Sequence, residues 1–387
     1  MTGDLSIEVC RMKILSDKMK KGIINNNYSK IPDNSTTRIL KASDSISFHS
    51  SLQCYMPTPL HRLPELARQL NVSNIYLKDE SQRLGLNSFK ALGASYAVYK
   101  LISNNEAGDT LCTATEGNHG RALAWSAGIF NKKCIIFVPG DTAFSRIRAI
   151  KNEGARVIQV DGSYDDACKQ AESTSLLEGW TLVQDSAWQG YEVIPAYIMA
   201  GYLTAYAEME EHLHRISQDI DIVMLQAGVG SWAASGIWYF HARYRKKIPK
   251  IIIVEPEEAD CILSSFRAGR QARSAGSNKT IMAGLNCSTA SSIAWDIIQS
   301  CATASISITD NAVIKTIKKL YYPSGSDQRI ISGESGAAGL AGFCEIVESE
   351  EFKPLKEYLD ISHKSNVLVF STEGATDPVS FNDIIKP

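Results

Sequence analysis

The sequence has no run of about 18 apolar residues, so it predicts no transmembrane helix. Charges at Asp4, Glu8, Arg11 and Asp17 interrupt any apolar signal-peptide core, and we expect no secretion signal. The charges nearly balance, because the chain has 40 Lys and Arg and 42 Asp and Glu, for a net charge of −2. Such a balance gives no general attraction to nucleic acid or to acidic membranes, so neither is an expected partner.

Cysteine pairs at metal-binding spacing are also missing. The nine cysteines are irregularly spaced and include no C-x-x-C pair. This pattern indicates neither a zinc site nor a disulfide framework, and we predict no metal. Cysteines without a disulfide pattern are typical of proteins in reducing compartments, so we expect a cytoplasmic location.

The 387 residues, 44% of them hydrophobic, suffice for two domains or for one large α/β unit. Residues 1–50 are polar and predict a loosely ordered N-terminal arm. After them, helical stretches alternate with short apolar segments at residues 75–78, 134–138, 155–160, 222–225, 251–255 and 367–370. Short, fully apolar strands between helices indicate parallel sheets that are covered on both faces. In such sheets, ligands gather at the carboxyl ends of the strands.

Lys90 lies among small and apolar neighbours in the segment NSFKALG, residues 87–93. A lysine in such a setting loses hydration, so its neutral and nucleophilic amine is favoured. Amines of this kind form Schiff bases with aldehyde cofactors, above all pyridoxal phosphate. Most lysines are solvated surface charges, so this segment alone does not decide the matter.

A glycine-rich turn at residues 226–231 follows one apolar strand and precedes a helical run. Converging N–H groups and a helix N-terminus make it a candidate phosphate cradle, although a lone Gly-x-Gly is often an ordinary turn. Ala233 stands where a dinucleotide-binding motif has its third glycine, and the lysine of a P-loop is missing. A single small phosphate therefore suits this turn better than a dinucleotide.

Two further turns follow predicted strands. In residues 115–120, N–H groups could hold a carboxylate and Asn118 could bind a phenolic oxygen; a capped turn is the alternative. We expect His119 to stabilise packing or the turn rather than to act as a general base. In residues 371–374 a hydroxyl could face a pyridine nitrogen, or simply cap the strand. Considered alone, Asp185 is expected to be a surface carboxylate. Residues 332–336 form a further glycine-rich turn, whose role is unclear from the sequence.

Taken in this order, the lysine, the asparagine loop, the phosphate turn and the C-terminal hydroxyl resemble fold-type II pyridoxal-phosphate enzymes. This is the superfamily of tryptophan synthase β and threonine dehydratase, and within it the chain is most similar to the diaminopropionate ammonia-lyases. The resemblance runs from about residue 50 to 378 and is carried by YMPTPL (55–60), KDES (78–81), LNSFK (86–90), GNHGR (117–121), GY (190–191), IP (194–195), QAGVGS (226–231), SGESG (332–336) and STEG (371–374).

The resemblance implies an α/β fold of two open twisted domains with the cofactor between them, in a homodimer. The arm would be residues 1–50, the large cofactor-binding domain residues 51–88 and 205–387, and the small domain residues 89–204. Lys90 would hold pyridoxal 5'-phosphate as an internal aldimine and later remove the Cα proton of an L-substrate. The cofactor's O3′, ring nitrogen and phosphate would be bound, respectively, by Asn118, by Ser371 or Thr372, and by Gly228, Val229, Gly230 and Ser231.

The resemblance also implies roles for two acidic residues. Glu116 would take the proton from the opposite face of a D-substrate, and Asp185 would bind or polarise the leaving amine. The family usually has aspartate at the position of Glu116, and an added methylene can misplace a base by enough to cost about 100-fold in rate. The family also has Gly-Glu-Pro where this chain has residues 288–290, Ser-Thr-Ala. This lost carboxylate leaves the exact substrate open.

The predicted reaction is α,β-elimination from 2,3-diaminopropionate, or from another small β-substituted amino acid, to give pyruvate and ammonia. Ammonia leaves poorly unless it is protonated, so Asp185 or Glu116 could serve as the acid if burial raises its pKa. The alternatives are β-replacement, dehydration of a hydroxy amino acid such as serine, and a catalytically quiet cofactor-binding relative. A nicotinamide-dependent oxidoreductase is disfavoured by the missing third glycine.

Overall fold

The computed structural model describes residues 12–115, 117–245 and 247–386, whose strands form two separate sheets. The larger sheet contains β1 (Gly22–Ile24), β2 (Leu60–Arg62), β3 (Asn74–Asp79), β8 (Ile222–Gln226), β9 (Lys250–Pro256), β10 (Ala304–Ile308) and β11 (Asn366–Ser371). Their order is β1-β10-β9-β8-β11-β3-β2. The five inner strands are parallel, and β1 and β2 are antiparallel edge strands.

The smaller sheet is entirely parallel. Its strands are β4 (Thr110–Ala114), β5 (Lys133–Pro139), β6 (Arg156–Val160) and β7 (Thr181–Leu182), in the order β6-β5-β4-β7. The short apolar segments singled out in the sequence all fall in these two sheets. The prediction of parallel sheets is confirmed.

Helices surround both sheets. They include α1 (Ser35–Lys41), α2 (Ser45–Ser51), α3 (Pro64–Gln69), α4 (Lys90–Ser103), α5 (Asn118–Ile129), α6 (Phe144–Asn152), α7 (Tyr164–Glu178), α8 (Val193–Arg215), α9 (Ser231–Arg243), α10 (Cys261–Ala268), α11 (Ser292–Cys301), α12 (Asp310–Tyr321), α13 (Ala338–Glu348), α14 (Lys353–Leu359) and α15 (Pro378–Ile385). Within the described ranges, none of them combines the length and apolar character that a bilayer span requires.

The larger sheet is apolar on both faces because each face packs against its own layer of helices. In β8, Val223 and Leu225 belong to one hydrophobic core, whereas Ile222 and Met224 belong to a second core. Successive side chains of a strand point to opposite faces, so a strand covered on both sides needs an unbroken apolar run. This is the physical reason that the strand positions could be predicted from composition.

The N-terminal segment is more ordered than its polar sequence predicts. Strand β1 pairs antiparallel with β10, and the amide of Asn25 donates to the carbonyl oxygens of Gln299 and Ala302, both at 2.8 Å. Asn34 caps α1 in a capping box with Thr37. The prediction of a loosely ordered arm is wrong for these residues, because their polar side chains bind backbone groups rather than water.

Four charged side chains form what we call the buried ion cluster: Lys78, Glu80, Arg83 and Glu208. Arg83 donates to Glu208 from Nη1 and Nη2, each at 2.7 Å, and from Nε to Glu80 at 2.6 Å. Lys78 Nζ donates to Glu208 at 2.6 Å. None of the four side chains is more than 3% exposed. The cluster joins β3, and the segment after it, to α8.

Helices α4 and α8 approach closely because two glycines face each other's helix. A Cβ atom at Gly201 would lie 2.4 Å from the carbonyl oxygen of Leu92, and a Cβ atom at Gly93 would lie 2.4 Å from Cε1 of Tyr202. No side chain fits at such separations. The position of α4, which begins with Lys90, is therefore set by direct contact with α8.

We expect Gly201→Ala to destabilise the protein by about 1–3 kcal/mol, because the added methyl group forces the two helices apart. Gly128→Ala provides the matched control, since a Cβ atom at this exposed position of α5 has no neighbour within 4 Å. The control should stabilise the protein by up to about 1 kcal/mol through helix propensity. Urea denaturation measures both changes, and equal effects would contradict the close contact.

Candidate active site

A cavity lies at the carboxyl ends of strands from both sheets. Its walls include Ala114 at the end of β4, Gln226 at the end of β8 and Thr372 just after β11. Parallel α/β sheets bind ligands at this end because loops and helix N-termini converge there. The cavity is thus where the sequence predicted ligands to gather.

Most of the predicted site residues line this cavity: Lys90, Asn118, Asp185, Gly228, Val229, Gly230, Ser231 and Thr372. Ser371 does not, because its fully buried hydroxyl donates to Ser332 Oγ at 2.8 Å. Neighbouring side chains at a strand end point in opposite directions, so only one of these two hydroxyls faces the cavity. Glu116 lies outside the described residues.

Lys90 and Asp185 form an ion pair inside the cavity, with Nζ and Oδ2 separated by 2.5 Å. Burial lowers the pKa of Lys90, but Asp185, Tyr202 and Cys287 together raise it, so the net shift is upward. The prediction that desolvation leaves a neutral amine is therefore wrong for Lys90 in this ion pair. Burial raises the pKa of Asp185, but the charge and the hydrogen bond of Lys90 lower it to about 2, so the raised pKa on which an acid role was conditional is not found in this ion pair.

His119 lies next to the ion pair of Lys90 and Asp185. Its Nε2 atom lies 2.7 Å from the carbonyl oxygen of Val183, and its Nδ1 atom lies 4.0 Å from Asp185 Oδ2. A carbonyl oxygen only accepts, so Nε2 carries the hydrogen. Nδ1 is buried and has no hydrogen-bond partner among the described residues. Burial lowers the pKa of His119, so the ring is neutral at pH 7.

The turn at residues 226–231 leads into the N-terminus of α9. Gly230 caps this helix with a φ of +92°, a conformation that favours glycine. Within the described ranges, the N–H groups of residues 228–231 donate to no backbone carbonyl. Together with the partial positive charge of the helix N-terminus, these unused donors suit an anion such as phosphate.

Glu373 was not identified from the sequence, although it lies within the motif at residues 371–374. Its carboxylate accepts hydrogen bonds from the side-chain amide of Asn118 and from the N–H of Ser335, the latter at 3.0 Å. Gln226 Nε2 donates to Thr372 Oγ1 at 3.1 Å. The turn at residues 332–336, which had no assigned role, thus supports the loop that carries Thr372 and Glu373.

Other cavity residues carry no signal in the sequence. Arg146 and Tyr164 lie in the first turns of α6 and α7, and Cys287 follows a short 3₁₀ helix, Ala283–Leu285. None of the three belongs to a glycine-rich motif. Only the folded structure brings these three residues to one cavity, because they lie in separate elements of the chain.

Comparison with known proteins identifies the family. The family described as pyridoxal-phosphate dependent enzyme matches residues 52–360. Diaminopropionate ammonia-lyase from Escherichia coli (strain K12) is 38% identical over 355 residues, or 87% of this chain and 89% of that protein. The chain belongs to the pyridoxal-phosphate dependent enzymes. Membership of this family confirms the predicted cofactor.

Solved structures confirm the fold-type II architecture of this family. Diaminopropionate ammonia lyase from Escherichia coli, in complex with an aminoacrylate-PLP azomethine reaction intermediate, has a TM-score of 0.87 at 36% identity. The similarity covers 95% of this chain and 97% of that chain. The processed form of threonine deaminase isoform 2 from Solanum lycopersicum covers 96% of this chain and 93% of its own, with a TM-score of 0.77 at 22% identity. At that identity the likeness concerns the fold alone.

We expect Gly228→Ala to weaken pyridoxal-phosphate binding about tenfold or more, because overpacking costs about 1–3 kcal/mol. The new Cβ atom would lie 2.9 Å from Cys287 Sγ and 3.1 Å from Leu285 Cα, which line the same cavity. Absorbance titration of the cofactor-stripped protein gives the Kd. Gly128→Ala makes the same chemical change far from the cavity and should leave the Kd unchanged. An unaltered Kd for Gly228→Ala would show that this turn does not hold the phosphate.

Proposed function

We propose that this chain is a carbon–nitrogen lyase that removes ammonia from 2,3-diaminopropionate by α,β-elimination and yields pyruvate. The observation that carries the proposal is the 2.5 Å contact between Lys90 Nζ and Asp185 Oδ2 inside the cavity. This contact places a base for the Cα proton and a carboxyl group for the β-amine within the length of one small amino acid. The 38% identity to the Escherichia coli lyase supports this choice of substrate.

The residues present fit pyridoxal phosphate. When bound, the cofactor supplies a sink for the electron pair left at Cα. We assign the covalent attachment to Lys90, the O3′ contact to Asn118 and the ring-nitrogen contact to Thr372. We assign the phosphate to the N–H groups of Gly228, Val229, Gly230 and Ser231. The support for the last assignment is that these donors are unused by backbone carbonyls and stand at a helix N-terminus.

Three side chains would then divide the proton transfers. Lys90, once released, takes the Cα proton of the L-isomer, and Asp185 assists the departing amine. Glu116 takes the proton of the D-isomer from the opposite face, an assignment that rests on the family resemblance. Thr372 would face the ring nitrogen with a hydroxyl rather than a carboxylate, and would therefore not hold a proton on it.

We further propose a small domain of residues 89–204 and a large domain of residues 51–88 and 205–387. The sheets support this division, since β4 to β7 all fall in the first range. The arm of residues 1–50 contributes β1 to the larger sheet. A homodimer in the cytoplasm is proposed from the family resemblance and from the cysteine pattern. Light scattering of the purified protein tests the dimer.

The reconstituted protein should form pyruvate from L-2,3-diaminopropionate, and from the D-isomer if Glu116 reaches Cα. Lys90→Ala should lower the rate on the L-isomer by about 10⁴-fold, because it removes the cofactor attachment and the base together. Lys100→Ala, the same substitution farther along α4, should retain the activity. A coupled lactate dehydrogenase assay measures pyruvate. Absence of pyruvate from both isomers would defeat the proposed substrate.

Thr372→Val should weaken cofactor binding about tenfold, because it removes one buried hydrogen bond of about 1–2 kcal/mol. Ser371→Ala is the matched control, since the Ser371 hydroxyl points away from the cavity towards Ser332. It should lower stability without changing the Kd of the cofactor. The reverse result, with Ser371→Ala affecting the Kd and Thr372→Val not, would reassign the ring-nitrogen contact.

A further inference from the structure

The imidazole of His119 is positioned to act on Asp185. Its side chain is 4% exposed, its Nε2–H is committed to the Val183 carbonyl oxygen at 2.7 Å, and its Nδ1 atom has no partner within the described ranges. Nδ1 lies 4.0 Å from Asp185 Oδ2. The fixed tautomer therefore presents a lone pair, not a hydrogen, to a carboxylate.

This arrangement is stable only while Lys90 is an ammonium ion. The Lys90 ammonium compensates the Asp185 carboxylate from 2.5 Å. If the proposed function holds, the Lys90 nitrogen is bonded to the cofactor at the start of each turnover and no longer offers this ammonium to Asp185. Asp185 then has a weaker counter-charge, and a buried carboxylate with a weaker counter-charge takes up a proton more readily.

We propose that His119 is a positioning residue that shares one proton with Asp185, and that this pair delivers the proton to the departing β-amine. The inference rests on the proposed function. The 4.0 Å separation of Nδ1 and Oδ2 is longer than a hydrogen bond, so the two atoms must approach by about 1 Å to share the proton. In that arrangement the otherwise unpaired Nδ1 atom gains a partner and the carboxyl group is held facing the cavity. The pair of His119 and Asp185 thus holds a transferable proton next to the base Lys90.

The proton balance of the step is simple. The Cβ–N bond breaks, both bonding electrons stay with the nitrogen, and the proton from the pair completes ammonia. The pair is left with one proton fewer and regains it from water before the next turnover. No oxidant or reductant takes part.

Other titratable groups near the pair are Tyr164 and Tyr202, together with the thiol of Cys287. Burial raises the pKa of each tyrosine above its ordinary value, so both are neutral at pH 7. Burial lowers the pKa of His119, the Asp185 charge raises it and the Lys90 charge lowers it again. Removing the Lys90 charge therefore favours a proton on the pair.

Steady-state kinetics on two substrates tests the role. Chloride leaves without a proton, whereas ammonia does not, so β-chloroalanine serves as a substrate that bypasses the acid. His119→Gln should lower kcat for 2,3-diaminopropionate about 100-fold and kcat for β-chloroalanine by less than about threefold. His61→Gln is the matched control, because His61 pairs with Asp79 at 3.4 Å outside the cavity. It should leave both rates unchanged. A parallel loss on both substrates, or no loss on either, overturns the proposal.

A second measurement needs no turnover. With ¹⁵N-labelled histidine rings, NMR of the cofactor-stripped full chain distinguishes its seven histidines, and His119→Gln assigns one signal. Lys90→Ala should shift the Nδ1 resonance of His119 towards the protonated or hydrogen-bonded value at pH 7. An unchanged resonance overturns the proposal, whatever effect His119→Gln has on the two rates. If the wild-type protein makes no pyruvate from 2,3-diaminopropionate, the proposed function fails, and this resonance alone decides whether the proton is shared.

Discussion

The buried ion cluster is the constraint on which the active site depends. It lies where the chain leaves β3 on its way to Lys90, and its two cations balance two carboxylates. Loss of one partner would leave an uncompensated buried charge, at a cost of about 3–5 kcal/mol. The segment held in this way runs beside the end of β11, where the N–H of Phe89 donates to the Thr372 carbonyl oxygen at 3.0 Å. Backbone bonds therefore set the separation between Lys90 and Thr372.

Two of the buried charge groups among the described residues, the ion cluster and the pair of Lys90 and Asp185, have different fates. The ion cluster is permanently balanced, because none of its members takes part in the proposed chemistry. The pair of Lys90 and Asp185 is balanced only until the lysine nitrogen reacts. One arrangement stabilises the fold, and the other is disturbed by the reaction itself. In keeping with this difference, the neutral imidazole of His119 lies beside the pair of Lys90 and Asp185, whereas the ion cluster contains the permanently charged Arg83.

The sequence predicted features that depend on local pattern. Strands covered on both faces must be apolar throughout, and glycine-rich turns must follow them, so both could be located before any contact was known. What could not be predicted depends on side-chain direction and on packing between distant segments. Composition cannot show that Thr372 faces the cavity and Ser371 does not. Nor can it show that Asp185 meets Lys90, a contact that raises the pKa of Lys90 where desolvation alone predicted a lowered one, and that lowers the pKa of Asp185. The N-terminal segment was misjudged because its polar residues bind backbone groups of distant elements.

The position of β11 has a consequence for synthesis on the ribosome. In chain order β11 follows every other described strand, yet it lies in the middle of the larger sheet, between β8 and β3. Until residues 366–371 emerge, the neighbours of this strand present unpaired backbone edges, which invite association with other chains. Thr372 and Glu373 follow β11 directly, so they reach the cavity only after β11 has paired with β8 and β3. A nascent chain therefore cannot bind its cofactor in full before the sheet is closed, and interrupted translation would leave an aggregation-prone product.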